Sequence, residues 1–216
     1  MKILEVKKVQ VSAGLTADQI PAVMNENGLA FVAIDTVNWD AYPYKPEVRF
    51  RIAHTGKEIL IHYQVKEASV RAVAQGDDGR VWEDSCTEFF VSPDSNDFYY
   101  NFECNCIGRL LLHGGVSGNR PSASEDVMHS ISRWSSLGNQ PFEERVGECS
   151  WESTLIIPAS AFFRHQIETL DGLEMRANFY KCGDLLQTPH FLSWNAINLP
   201  EPKFHCPEFF GILNFE

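Results

Sequence analysis

Two carboxylates and two amides recur at alternate positions in one stretch, and these are the groups best placed to recognise a polar ligand. In CTEFFVSPDSNDFYYNFECN they are Glu88, Asn101, Glu103 and Asn105. Side chains on a strand alternate between faces, so parity sorts this stretch if Cys86 to Val91 and Phe98 to Asn105 pair as strands. The run SPDSND between them consists of turn formers. One face then carries Thr87, Phe89 and Val91 with Tyr100, Phe102 and Cys104. The other carries Glu88 and Phe90 with Tyr99, Asn101, Glu103 and Asn105. Acids and amides are costly to bury without partners, so the second face either meets water or binds something polar. Trp82 stands at its entrance. An indole beside convergent acids and amides suits a sugar, whose C–H faces stack on the ring while its hydroxyls pair with the polar groups.

Other chemistries compete for the same residues. Glu88 and Glu103 as a carboxylate pair also raise glycoside hydrolysis, one acid working with one base or nucleophile. The bland reading is a polar cluster satisfied within the sheet, with Trp82 packed at its edge. Asp84 reads better as a turn cap than as a ligand contact. Cys86, Cys104, Cys106, His113, His205 and Cys206 contain no C-x-x-C or H-x-x-x-H pair, so no metal site is expected from spacing. The methionines have no partner that suggests haem ligation, and no nucleophile elbow or phosphate-binding glycine loop occurs.

The elements that must position these groups read as short strands divided by turn residues. Ile3 to Val11 is predicted as a first strand. Thr16 to Asn27 follows as a helix, with Thr16 as cap and Asn27-Gly28 as stop. Leu29 to Thr36, Glu47 to His54 and Glu58 to Val65 continue the series, the last two divided by Thr55-Gly56. Beyond the central hairpin the predicted strands are Arg109 to His113, Val127 to Ile131, Glu148 to Ile157, Leu173 to Cys182 and Phe209 to Phe215. Ala159 to Phe163 reads as one helical turn. Many short strands point to an all-β fold, an antiparallel sandwich or jelly roll with one or two short helices, filling residues 1–216 as a single domain.

The chain has 216 residues, 44% of them hydrophobic and 12% aromatic, with a net charge of −11. That length supports a substantial core, with roughly 70% of the unfolded surface buried. The negative charge argues against nucleic acid, which needs clustered Lys and Arg, and against anionic membranes. No run approaches the roughly 20 apolar residues needed to cross a bilayer, and the charged start MKILEVKK is unlike a secretory signal. A cytoplasmic chain with six reduced cysteines is the expectation. Nothing in the sequence sets an oligomeric state.

Several stretches resemble the family 9 carbohydrate-binding modules, particularly the family 9-like group. They are Trp39 to Phe50 (WDAYPYKPEVRF), Val81 to Phe90 (VWEDSCTEFF), Tyr99 to Asn105 (YYNFECN) and Phe204 to Gly211 (FHCPEFFG). The resemblance implies a β-sandwich that holds a terminal sugar, as a mono- or oligosaccharide, between two aromatic rings, without catalysis of its own. Trp82 matches the first ring and Glu88 the acidic hydrogen-bonding residue, with Asn101 and Glu103 beside it. Candidates for the second ring position are Trp194, Phe204 and His205. An arginine that the family places on the strand after the acid is missing; Tyr99 or Asn101 occupies that region. Some relatives hold structural calcium, yet Asp77-Asp78 and Asp94 to Asp97 match no ligand spacing. A sandwich serving protein interaction without a sugar pocket is the first alternative, and a glycoside-active enzyme the second.

Overall fold

A computed structural model describes residues 1–94 and 97–216, so the tip of the predicted 92–97 turn, Ser95 and Asn96, lies outside the described residues. In chain order the elements are β1 (Ile3–Lys8), α1 (Ile20–Glu26), β2 (Val32–Ala33), β3 (Thr36–Val37), β4 (Glu47–His54) and β5 (Glu58–Ala72). Then come β6 (Cys86–Ser92), β7 (Tyr99–Asn105), β8 (Leu110–Gly115), α2 (Glu125–Ser130), β9 (Ser132–Ser135) and β10 (Phe142–Pro158). The series closes with β11 (Glu174–Cys182), β12 (Phe191–Ser193) and β13 (Gly211–Phe215).

The strands follow one path, β8-β7-β6-β11-β13-β1-β4-β5-β10-β9, folded on itself into two layers. One layer runs from β8 to β13 and the other from β4 to β9. The first strand joins them: Ile3 to Val6 pair with β13, and Lys7 and Lys8 pair with Ala53 and His54 of β4. Both pairings are parallel, a departure from the wholly antiparallel sheet expected, because β1 enters beside the final strand instead of beside a hairpin partner. Among the described residues every other strand pairing is antiparallel.

Aromatic rings fill the space between the layers. Phe50 of β4 stacks on Phe179 of β11 at 3.7 Å between centroids, and Phe179 stacks on Phe89 of β6 at 4.9 Å. Burying such rings supplies much of the stabilisation, about 1.5–3 kcal/mol for each large apolar side chain. At one end of this core, Lys181 of β11 and Glu67 of β5 form a fully buried ion pair at 2.9 Å.

Two predicted strands changed character. Val127 to Ile131 lies mostly in α2, because Ser124 caps a helix there: its Oγ accepts from the Val127 N–H, and Glu125 and Asp126 occupy the positive end. Leu29 to Thr36 pairs only at Val32–Ala33 and, beyond it, at Thr36–Val37. The first helix starts as a tight turn at Ala17–Gln19 and continues as α1 to Glu26.

Candidate functional site

The floor of the site is the outer face of β8, β7, β6 and β11. Register places Glu88 directly opposite Glu103 and Phe90 opposite Asn101, with His113 beside Asn101 on β8. Thr87, Phe89, Val91, Tyr100, Phe102 and Cys104 are all buried, and all but Thr87 belong to the inter-layer core, on the face that parity assigned to them. The outer polar residues are buried too: Glu88 is 2% exposed, Asn101 2% and Glu103 4%. They are covered because three segments rise around them and make a cleft of about 560 Å³.

The first wall is the tight turn Val81–Glu83, which holds Trp82 half-buried at the rim. Asp84 anchors this turn. Its carboxylate accepts from Arg71, from the Val73 and Ala74 N–H groups and from Asn105 Nδ2, so both Asp84 and Asn105 are committed to structure. The second wall is the stretch after β8, ending in Arg120. A β-carbon at Gly115 would lie 2.8 Å from the Arg120 Cα, so only glycine lets this loop close so tightly. Its closure puts the Arg120 guanidinium 3.7 Å over the Tyr99 ring, where it donates to Asn101 Oδ1. The third wall, before β13, carries Lys203, Phe204 and His205. Phe204 lies flat on Tyr180 with centroids 4.1 Å apart, and His205 Nδ1 meets the Tyr99 hydroxyl at 2.9 Å.

Burial drives the electrostatics. Desolvation, then the charge of Glu103, raises the Glu88 pKa well above the usual carboxylate range. Desolvation pushes Glu103 up to about 7, although Asn101 Nδ2 donates to its Oε1 at 2.7 Å. Asp184, also on the cleft, rises to about 6 through desolvation and the charge of Glu83. Desolvation of the His205 ring, helped by Arg120, lowers its pKa to about 4, so it is neutral at pH 7 although the residue as a whole is exposed. The cleft thus has an acidic side at Glu88, Glu103 and Asp184, and a basic edge at Arg120 and Lys203.

A family model for carbohydrate-binding family 9 matches residues 18–215. The chain belongs to carbohydrate-binding family 9. A solved structure similar to this family 9 chain is that of a candidate carbohydrate-binding protein from Bacteroides uniformis, 62% identical, with 100% of this chain and 99% of that one covered at a TM-score of 0.98. A family 9 module from Caldicellulosiruptor kristjanssonii in complex with glucose is 10% identical, covers 100% and 96% of the two chains and gives a TM-score of 0.58. The same organism's module with cellotriose is 9% identical, with 100% and 94% covered and a TM-score of 0.59. At that identity the likeness shows the β-sandwich fold. No curated protein matches the chain significantly.

In this family 9 chain the cleft gathers Trp82, Glu88, Asn101, Glu103, Phe204 and His205. Trp194 lies elsewhere, as a correction to its candidacy: it is 2% exposed, edge-on to Phe50 and Phe179, and a side chain at Gly211 would collide with its ring. Its place opposite Phe179, through the backbone bond from Trp194 to the Phe179 carbonyl, turns it into the core. Sequence reasoning missed Asp184, Lys203 and Arg120 as cleft residues, and Arg120 is the one that touches the predicted floor, at Asn101. It comes from the glycine-rich loop after β8, and no arginine stands on the strand after Glu88. Of the acidic loops, Asp77 pairs with Arg133 and Asp78 with His113, while the Asp94 to Asp97 run is only partly described.

Proposed function

We propose that this cleft binds the terminal unit of a neutral saccharide and performs no chemistry on it. The observation that carries the reading is the convergence in one concave site of a half-buried indole, Trp82, and a second ring, Phe204, with Glu88, Asn101 and Glu103 on the floor and Arg120 in the wall beside them. Sugar C–H faces pack on rings, and planar acids, amides and guanidinium groups pair with vicinal hydroxyls. A cleft of about 560 Å³ lies within the usual range for small ligands and suits one or two sugar units. Family membership supports a carbohydrate ligand, and glucose and cellotriose are the sugars bound by two modules of the same fold.

The placement of the acids favours binding over hydrolysis. Hydrolases set two carboxyl groups on either side of the scissile bond. Glu88 and Glu103 are instead cross-strand neighbours on one floor, both desolvated, and the charge of Glu103 pushes Glu88 further toward its protonated form. With about 1 kcal/mol from each ring contact beyond burial, affinity for a monosaccharide falls in the micromolar to millimolar range. Calorimetric titration with glucose, cellotriose and a wider sugar panel tests the reading, alongside incubation with chromogenic glycosides. Saturable heat without turnover supports it. A flat titration across the panel removes it, and turnover replaces it with a hydrolase.

A further inference from the structure

Three atoms of ligand type converge at one end of the cleft floor from strands far apart in sequence. Cys86 and Glu88 are two residues apart on β6 and share a face, and the β6–β11 register sets Cys182 directly opposite Cys86. The two sulfurs and a Glu88 oxygen lie within 4.8 Å of one another, with Cys182 Sγ 3.0 Å from Glu88 Oε1. Cys86 is 0% exposed, Cys182 1% and Glu88 2%. Tetrahedral zinc with Zn–S bonds of about 2.3 Å draws sulfurs to within ~4 Å of each other, so small side-chain rotations would close the set.

A second observation concerns charge. Among the described residues no Lys, Arg or His nitrogen lies within ion-pair distance of Glu88. The neighbouring ammonium, Lys181, is held by Glu67 on the other face of β11. A carboxyl and two thiols buried together without a cation must keep their protons or receive a cation from outside. Glu88 and Cys182 both open onto the cleft, which gives a path for entry.

We propose that Cys86, Cys182 and Glu88 form a binding site for a thiophilic divalent metal ion of the zinc class, its fourth position directed into the cleft. Two thiolates select such an ion over calcium or magnesium, which prefer all-oxygen shells. Binding forms two metal–sulfur bonds and one metal–oxygen bond. It releases both thiol protons and any proton on Glu88 to the buffer, and no electrons move. Two thiolates and a carboxylate around a dication leave one negative charge. The site stands whether or not the cleft takes a sugar, so its test uses the metal alone.

The full chain, kept reduced with a phosphine and shown by thiol counting to hold its six free cysteines, is titrated with Co²⁺. One equivalent should develop thiolate-to-cobalt charge-transfer absorption, which Zn²⁺ then abolishes by displacement. Native mass spectrometry should show one bound zinc. Cys86→Ser and Cys182→Ser should each weaken binding at least about 10-fold. Cys149→Ser, remote on β10, should leave it unchanged, with far-ultraviolet circular dichroism confirming the fold of each variant. A wild-type chain that gives no charge-transfer band in excess Co²⁺ overturns the site without recourse to any variant. So does a band that survives both cleft serine variants, or one that Cys149→Ser removes.

Discussion

Glu103 carries the titration that reports most directly on the cleft. Desolvation holds its folded pKa at about 7, against 4.5 for an ordinary glutamate. Between those values the folded chain keeps a proton that the unfolded chain has released, so stability falls as pH rises through this window. The contribution is complete below about pH 4.5 and gone above about 7. Buried His190, lowered to about 3, acts oppositely, losing stability as pH falls through 6.5, so only a difference between variant and wild type isolates Glu103. Glu103→Gln, whose amide oxygen can still accept from Asn101, should be more stable than wild type at pH 8 and lose that advantage at pH 5, read from urea midpoints. At the rim, Trp82→Ala should weaken sugar binding about 10-fold or more, because the stacking surface goes while the floor remains. Calorimetry on the best sugar of the panel measures it, and an unchanged affinity would show that the indole is only packing.

The loop after β8 is the element that completes the cleft, and Gly115 is what lets it close. Gly115→Ala should displace Arg120 from Tyr99 and Asn101, cost about 1–3 kcal/mol of stability and reduce sugar affinity. Arg120→Ala should reduce affinity with a smaller stability loss, and the pair, compared by thermal unfolding and calorimetry, separates loop geometry from the guanidinium itself. Elements of this kind mark where sequence reading stops. The β6–β7 hairpin was legible because Thr87, Phe89 and Val91 alternate with Glu88 and Phe90 around a turn-rich run. The stretch Val127 to Ile131 was not, since its apolar residues satisfy strand and helix alike and the cap at Ser124 decides. Short β9 and β12 have too few residues to show a period. Arg120 over Tyr99, Trp194 in the core and Cys182 opposite Cys86 are all products of strand order, which local pattern does not encode.

Across the whole molecule, the two layers must stay in register for the cleft walls to meet, and apolar stacking alone sets distance better than it sets register. The polar knot at one end of the core adds direction. Lys181 Nζ from β11 faces Glu67 Oε2 of β5 at 2.9 Å, His190 Nε2 at 2.7 Å and the Cys182 carbonyl at 2.7 Å. The other Glu67 oxygen accepts from Trp151 Nε1 on β10 at 2.7 Å. His190 Nδ1 donates to the Thr188 carbonyl, which leaves Nε2 free to accept; burial and the Lys181 charge keep the ring neutral. Because both charges are fully desolvated, removing one leaves the other stranded, at a cost of about 3–5 kcal/mol. Lys181→Met should therefore lower the urea midpoint sharply. Adding Glu67→Leu should recover part of that loss, since it removes the stranded charge but leaves the buried Trp151 Nε1–H without its acceptor. If the pair also enforces register, the double variant will unfold normally yet bind sugar more weakly, although neither substitution touches the cleft. Equal sugar affinity in the double variant would instead show that stacked Phe50, Phe89 and Phe179 are sufficient to align the layers.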